Sequence, residues 1–143
     1  LFFVTNLLAL LWCVGKLNLL FSSPADMKNI KAEPGQDVTL RCEDLHIGKI
    51  ALLLWSKDDP QEMNLIVIRD GRSLPAAQHE SFRDRVFLNN SQMKDGDLSV
   101  VLKNVTVDDT GTYECRVRYE NDPQRNRNLI STINLSVIPP GEQ

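Results

Sequence analysis

From Val38 onward the chain is a succession of short apolar or alternating runs divided by turn residues. No stretch keeps the 3.6-residue period of an amphipathic helix. The run Val38-Thr39-Leu40-Arg41-Cys42 follows the turn signal Pro34-Gly35 and puts 38, 40 and 42 on one face, with Thr39 and Arg41 on the other. Residues 50–55 are apolar and stop at Lys57-Asp58-Asp59-Pro60, and residues 63–68 stop at Asp70-Gly71, a strong hairpin signal. Runs at 85–88, 98–102, 112–117 and 129–137 complete the set, with Lys94-Asp95-Gly96-Asp97 as a turn before the second of them. Seven or more short strands at this spacing predict an all-β fold, an antiparallel sandwich. Alternation also assigns the core: Leu40, Cys42, Leu53, Trp55, Val100, Leu102, Tyr113, Cys115 and Val117 fall on inward faces.

The first 25 residues follow a different rule. Seventeen of them are hydrophobic, against 42% for the whole chain. Their uninterrupted apolar core, residues 7–14, lies between Asn6 and Lys16. It is too short for a membrane-spanning helix of ~20 residues but fits the apolar region of a signal peptide. Ser23-Pro24-Ala25 sets small residues at −3 and −1 of a cleavage point, and a cut after Gly15 is the alternative. The expected organisation is a signal peptide at 1–25, one folded domain at 26–138, and the start of a linker at 139–143, where Pro139-Pro140-Gly141 stands. The chain opens on Leu1 with no basic stretch ahead of the apolar core, so it is expected to be a fragment.

Export simplifies the cysteine arithmetic. Cys13 leaves with the leader, and Cys42 and Cys115 remain as an even pair in an oxidising compartment. The 72 residues between them make a bridge worth about 4 kcal/mol in the chain-entropy account. Three N-glycosylation acceptors support the same compartment: Asn89-Asn90-Ser91, Asn104-Val105-Thr106 and Asn134-Leu135-Ser136.

Other chemistries find little material. Sixteen Lys and Arg against 19 Asp and Glu, interspersed, give a net charge of −3, so no nucleic-acid partner is expected. His46 and His79 lie in connecting segments with no serine–carboxylate or metal-ligand spacing around them. Seven glycines are scattered through turns rather than gathered into a phosphate loop. Asp58-Asp59 and Asp108-Asp109 read as solvated turns without calcium-loop spacing. No catalytic residue, metal or cofactor is expected, and the domain is read as non-enzymatic.

The constellation of Cys42, Trp55 thirteen residues on, and Asp109-Thr110-Gly111-Thr112-Tyr113-Glu114-Cys115 resembles the immunoglobulin variable-type (V-set) domain. The resemblance covers essentially all of residues 27–138. It implies a bridge between two sheets with Trp55 packed beside it, and a hydrogen bond from Tyr113 to backbone just upstream. It also implies an Arg85–Asp109 pair across the lower end, backbone freedom at Gly111, and extra C′ and C″ strands between the cysteines. Residues 129–138 lack the Gly-x-Gly of antibody and T-cell-receptor variable regions. Instead Ile66-Val67-Ile68-Arg69-Asp70-Gly71, followed by Gln78-His79-Glu80-Ser81-Phe82-Arg83-Asp84-Arg85-Val86, is similar to the butyrophilin, B7 and myelin-oligodendrocyte-glycoprotein group. Arg85-Val86-Phe87, Gly96-Asp97 and the segment around Cys115 also resemble the coxsackievirus-and-adenovirus-receptor type of junctional adhesion protein.

The first resemblance implies a type I membrane protein on the extracellular side of the plasma membrane, anchored through a region absent from this sequence; a secreted form is the alternative. Its partner would be a cell-surface protein on an opposing cell, such as a lymphocyte receptor. The second implies a cell–cell adhesion module, homophilic or heterophilic, with a homodimer in the homophilic case. V-set domains generally bind through the sheet of strands G, F, C, C′ and C″ or the loops at its end. With Leu53 and Trp55 inward, Leu52 and Leu54 face outward there, as do Arg116 and Arg118 on either side of Val117. Their bland alternative is cover by C′ side chains such as Met63 or Ile66. The loop from Arg118 to Arg127 adds Tyr119 and Arg125, residue types enriched at binding hot spots. Asn134 faces outward between Ile133 and Leu135, where a glycan would restrict flat docking.

Overall fold

In the computed structural model, which describes residues 26–45, 48–58, 61–123 and 126–141, the alternating runs become strands of two facing sheets. The leader with Cys13, and His46, Asp59 and Arg125, lie outside the described residues. The strands are β1 (Asp26–Ala32), β2 (Val38–Leu40), β3 (Ile50–Lys57), β4 (Met63–Arg69), β5 (Arg72–Ser73), β6 (Val86–Leu88), β7 (Val100–Leu102), β8 (Gly111–Tyr119) and β9 (Asn128–Val137). One sheet has the order β1-β9-β8-β3-β4-β5 and the other β2-β7-β6. Pairing is antiparallel except where β1 runs parallel to β9, with Asp26 opposite Ser131 and Ala32 opposite Val137. Strand β1 was not anticipated, because Met27, Lys28 and Asn29 are exposed and only Ile30 and Ala32 turn toward the core. Backbone pairing at a sheet edge holds such a strand without a strong apolar alternation.

All nine residues that alternation assigned to the interior are 2% exposed or less. Cys42, two residues beyond β2, is bridged to Cys115 on β8, with Cα atoms 6.5 Å apart, so the bond joins the two sheets. Trp55 stands opposite Cys115 in the β3–β8 register, and its indole N–H donates to Leu98 O at 2.9 Å. Burial of Trp55 therefore leaves its one polar group satisfied. Ser99 hydroxyl accepts from the Cys42 N–H at 2.9 Å, and among the described residues no buried side-chain polar atom lacks a partner.

The lower end is closed by a second network. Arg85 makes a two-pronged bond to Asp109, Nη1 to Oδ2 at 2.9 Å and Nη2 to Oδ1 at 3.0 Å. Asp109 is buried, and its Oδ2 also accepts from the Thr106 N–H at 2.9 Å, capping a single 3-10 turn at Val107–Asp109. The solvated turn expected at Asp108-Asp109 is thus half right: Asp108 is exposed, but Asp109 has been drawn inward by the guanidinium. The Tyr113 hydroxyl donates to Asp109 O four residues upstream, and its ring meets Phe82 edge-on at 6.4 Å. Gly111 opens β8 opposite Leu135. The hairpin signal at Asp70-Gly71 is realised with positive φ at both residues, 51° and 80°, between β4 and β5.

Replacing both bridge cysteines, Cys42→Ala with Cys115→Ala, is expected to lower unfolding stability by about 4 kcal/mol in urea titrations of the secreted domain. A loss under about 1 kcal/mol would mean that packing around Trp55 holds the sheets together unaided. Arg85→Ala strands a buried carboxylate and is expected to cost about 3 kcal/mol. Arg85→Lys, which keeps the charge but not the fork, should fall between that variant and the unaltered domain in the same titration.

Candidate functional site

A sandwich of this kind offers its two outer faces and its loops. The larger sheet carries an apolar group on its outer side. In the β3–β4 pairing Trp55 lies opposite Ile66 but Ser56 lies opposite Asn64, so Leu65 is an extra residue on β4. This bulge turns both Leu65 and Ile66 into the core and sends Val67 outward beside Leu54. Leu52, Leu54 and Val67 form a small cluster separate from the main core, with Leu74 half-buried against it. Leu74 is brought there by its own N–H, which donates to Val67 O at 2.9 Å.

Strand β5 has only two residues, and the chain beyond it stays alongside β4 by other bonds. The Gln78 side-chain amide donates to Leu65 O at 2.8 Å, and the His79 N–H donates to Asn64 O at 2.9 Å. The covering of Leu52 and Leu54 thus comes from Val67 and Leu74. Met63 and Ile66, named for that role, pack into the main core instead, because of the bulge.

The result is a shallow depression of about 230 Å³ with an apolar floor, lined among others by Leu52, Leu54, Val67 and Leu74, with Arg69 and Arg127 among its polar residues. On the neighbouring strand Arg116 lies opposite Leu54 and Arg118 opposite Leu52, so both arginines border the cluster. Arg116 donates to Glu114 Oε2 at 2.6 Å. Four arginines therefore frame one apolar floor, and among the described residues one of the four, Arg116, is ion-paired.

Tyr119 does not belong to this surface. It ends β8 with its ring buried and its hydroxyl donating to Asp44 Oδ2 at 2.6 Å, and burial together with that bond raises its pKa. The inward parity of Tyr113, Cys115 and Val117 extends to Tyr119, so the F–G loop begins only after it. Val67, Leu74, Arg69 and Arg127 are the surface residues that alternation did not single out. The bulge at Leu65 hides the first, Arg69 closes β4, and Leu74 and Arg127 lie outside the regular strands.

The remaining polar groups have local tasks. His79 Nδ1 accepts from the Ser81 N–H at 3.1 Å, capping a short turn. Lys57 is buried at the end of β3 and donates to Asp108 O at 2.9 Å, beside a 370 Å³ cavity lined by Arg85 and Asp109 of the lower network. Among the described residues no group of three or more His, Cys, Asp and Glu is placed to hold a metal ion. Of the three glycan acceptors, Asn104 is exposed in a left-handed conformation (φ 51°). Asn89 is exposed and its amide donates to Asp97 Oδ2 at 2.9 Å. Asn134 is half-buried on the outer face, accepting from Thr112 Oγ1 at 2.9 Å and donating to Asn29 Oδ1 at 3.2 Å.

Comparison with known proteins agrees with this architecture. The immunoglobulin V-set domain model matches residues 26–138. V-set domain containing T-cell activation inhibitor 1 of Mus musculus is 33% identical over 87 residues, which are 59% of this chain and 30% of that protein. Programmed cell death 1 ligand 1 of Mus musculus is 28% identical over 102 residues, 68% of this chain and 33% of that protein. The chain spans about a third of the length of these curated relatives. A chain of the crystal structure of ICOS in complex with ICOS-L and an anti ICOS-L VNAR domain superposes with a TM-score of 0.68 at 21% identity, over 79% of this chain and 55% of that one. The human B7-H4 IgV-like domain gives 0.58 at 23% identity, over 79% and 91%. The structural likenesses attest the fold, and the two sequence relatives point to the B7 group of immune regulators. With a family match across most of its length and a sandwich bridged as that family requires, this chain belongs to the immunoglobulin V-set domain family.

Proposed function

We propose that this chain is the recognition domain of a cell-surface protein of the B7 type, which binds a receptor on an opposing lymphocyte and regulates its response. The observation that carries the reading is the second apolar cluster. Leu52, Leu54 and Val67 gather on the side of the larger sheet that faces away from the main core, as a second apolar cluster with each residue 9% exposed or less. Framed by arginines, that cluster has the build of an interface centre with a polar rim. The bridge and the acceptor sites agree with the secretory pathway, and attachment to the membrane is assigned to sequence beyond Gln143. The domain acts by binding and carries no reaction of its own.

Tetramers of the secreted domain are expected to stain activated primary T cells, as read by flow cytometry. Arg118→Glu, on the outer face, should reduce staining at least tenfold while leaving thermal stability essentially unchanged, as surface substitutions do. Lys103→Glu, on the opposite sheet, should leave staining intact. Absence of staining on every activated T-cell population would contradict the reading.

A further inference from the structure

We propose that the partner enters this surface with a protruding loop that carries one large apolar side chain between carboxylates, and that the apolar side chain fills the depression above Leu54 and Val67. This rests on the reading of the outer face as the docking surface and specifies what docks there.

The size of the depression comes first. At about 230 Å³ it falls below the ~300–1,000 Å³ of pockets that enclose a free small molecule. It has room for one bulky side chain delivered by a larger body. Its floor of Leu52, Leu54, Val67 and Leu74 offers no charge to a polar tip. A single apolar anchor seated at the centre of an interface, and sealed from water by the groups around it, is where binding energy concentrates.

Charge specifies the flanks. Among the described residues Arg69, Arg118 and Arg127 make no ion pair, whereas Arg116 is neutralised by Glu114. The acidic residue lining the depression is Glu62. The chain as a whole carries a net charge of −3, so this face is opposite in sign to the molecule that bears it. Such a patch steers acidic partners and rejects basic ones. The same charges argue against a second copy. A twofold contact through this face would set it against itself and bring unpaired guanidinium groups together. The occupant is therefore a different, locally acidic protein.

The test uses the 15N-labelled domain and three disulfide-cyclised peptides as probes: a ring with Phe between two Glu, the same ring with Lys for Glu, and the same ring with Ser for Phe. The Glu-Phe-Glu ring is expected to shift the amide resonances of Leu52, Leu54, Val67 and Arg69. The Lys and Ser rings should bind at least tenfold more weakly. Arg69→Glu combined with Arg127→Glu should weaken the Glu-Phe-Glu ring by tenfold or more, with the rest of the amide spectrum preserved. Equal binding of the Lys ring, shifts centred elsewhere, or no shifts at millimolar peptide would overturn the inference. So would a dimer in sedimentation velocity at 100 μM that Arg118→Glu dissolves, because it would give the face to a second copy. T-cell staining separates the two levels. Staining that survives Arg69→Glu with Arg127→Glu overturns the acidic-loop inference alone, and peptide binding without any T-cell staining overturns the opposing-cell reading alone.

Discussion

The inter-sheet bridge between Cys42 and Cys115, with Trp55 set against it, is the constraint to which the rest of this molecule is referred. A sandwich of this size has a core only one layer of side chains deep on each sheet, and the bridge defines which residues those are. Because Cys115 points inward, strand alternation sends Arg116 and Arg118 outward. Because Trp55 lies opposite Cys115, the same rule sends Leu54 and Leu52 outward on the adjacent strand. The composition of the outer face is thus a consequence of where the disulfide sits. Moving either strand by one residue would bury the arginines and expose the core.

Two polar clasps hold the ends of the bridged strand. At the lower end Asp109 takes the Arg85 fork, the Thr106 N–H and, through its carbonyl, the Tyr113 hydroxyl. At the upper end Tyr119 reaches across to Asp44. Strand β8 is fastened at both ends as well as at its middle, so the arginines it presents stand on a stiff support. That stiffness favours binding, because few degrees of freedom remain to be lost when a partner docks. The other half of the face is built differently. The segment from Leu74 to His79 is tied to β4 by four separate hydrogen bonds in place of a long edge strand. One wall of the depression, at Leu74 and Ala77, is therefore built outside a regular strand.

How much of this could be read from the chain follows from the same physics. The fold class, the bridge, the core residues and the orientation of Leu52, Leu54, Arg116 and Arg118 all follow from period-two alternation anchored on Cys, Trp and Tyr. The orientations are properties of single strands and need no knowledge of their neighbours, and the bridge follows from the two cysteines left once the leader is set aside. What escaped depends on relations between strands. The bulge that turns Leu65 inward and Val67 outward is a mismatch in the β3–β4 register and leaves no mark in β4 alone. Strand β1 is held by pairing to β9 and has too few inward apolar side chains to announce itself. Asp109 looks like its exposed neighbour Asp108 until Arg85 is brought against it. Tyr119 was legible and was misplaced only by ending the strand too early.

The central claim is that the outer face of the β8–β3–β4 sheet is where this domain meets its partner. Glycan masking tests it most directly, since an added N-linked sugar shields one face and leaves the other free. Arg116→Asn with Arg118→Thr places an acceptor on the outer face, and Thr39→Asn with Arg41→Thr places one on the opposite sheet. On cells that bind the unaltered domain, the account predicts that the first glycan abolishes binding and the second leaves it unchanged. Binding that survives the outer-face glycan, once mass spectrometry has shown the site to be occupied, would contradict it.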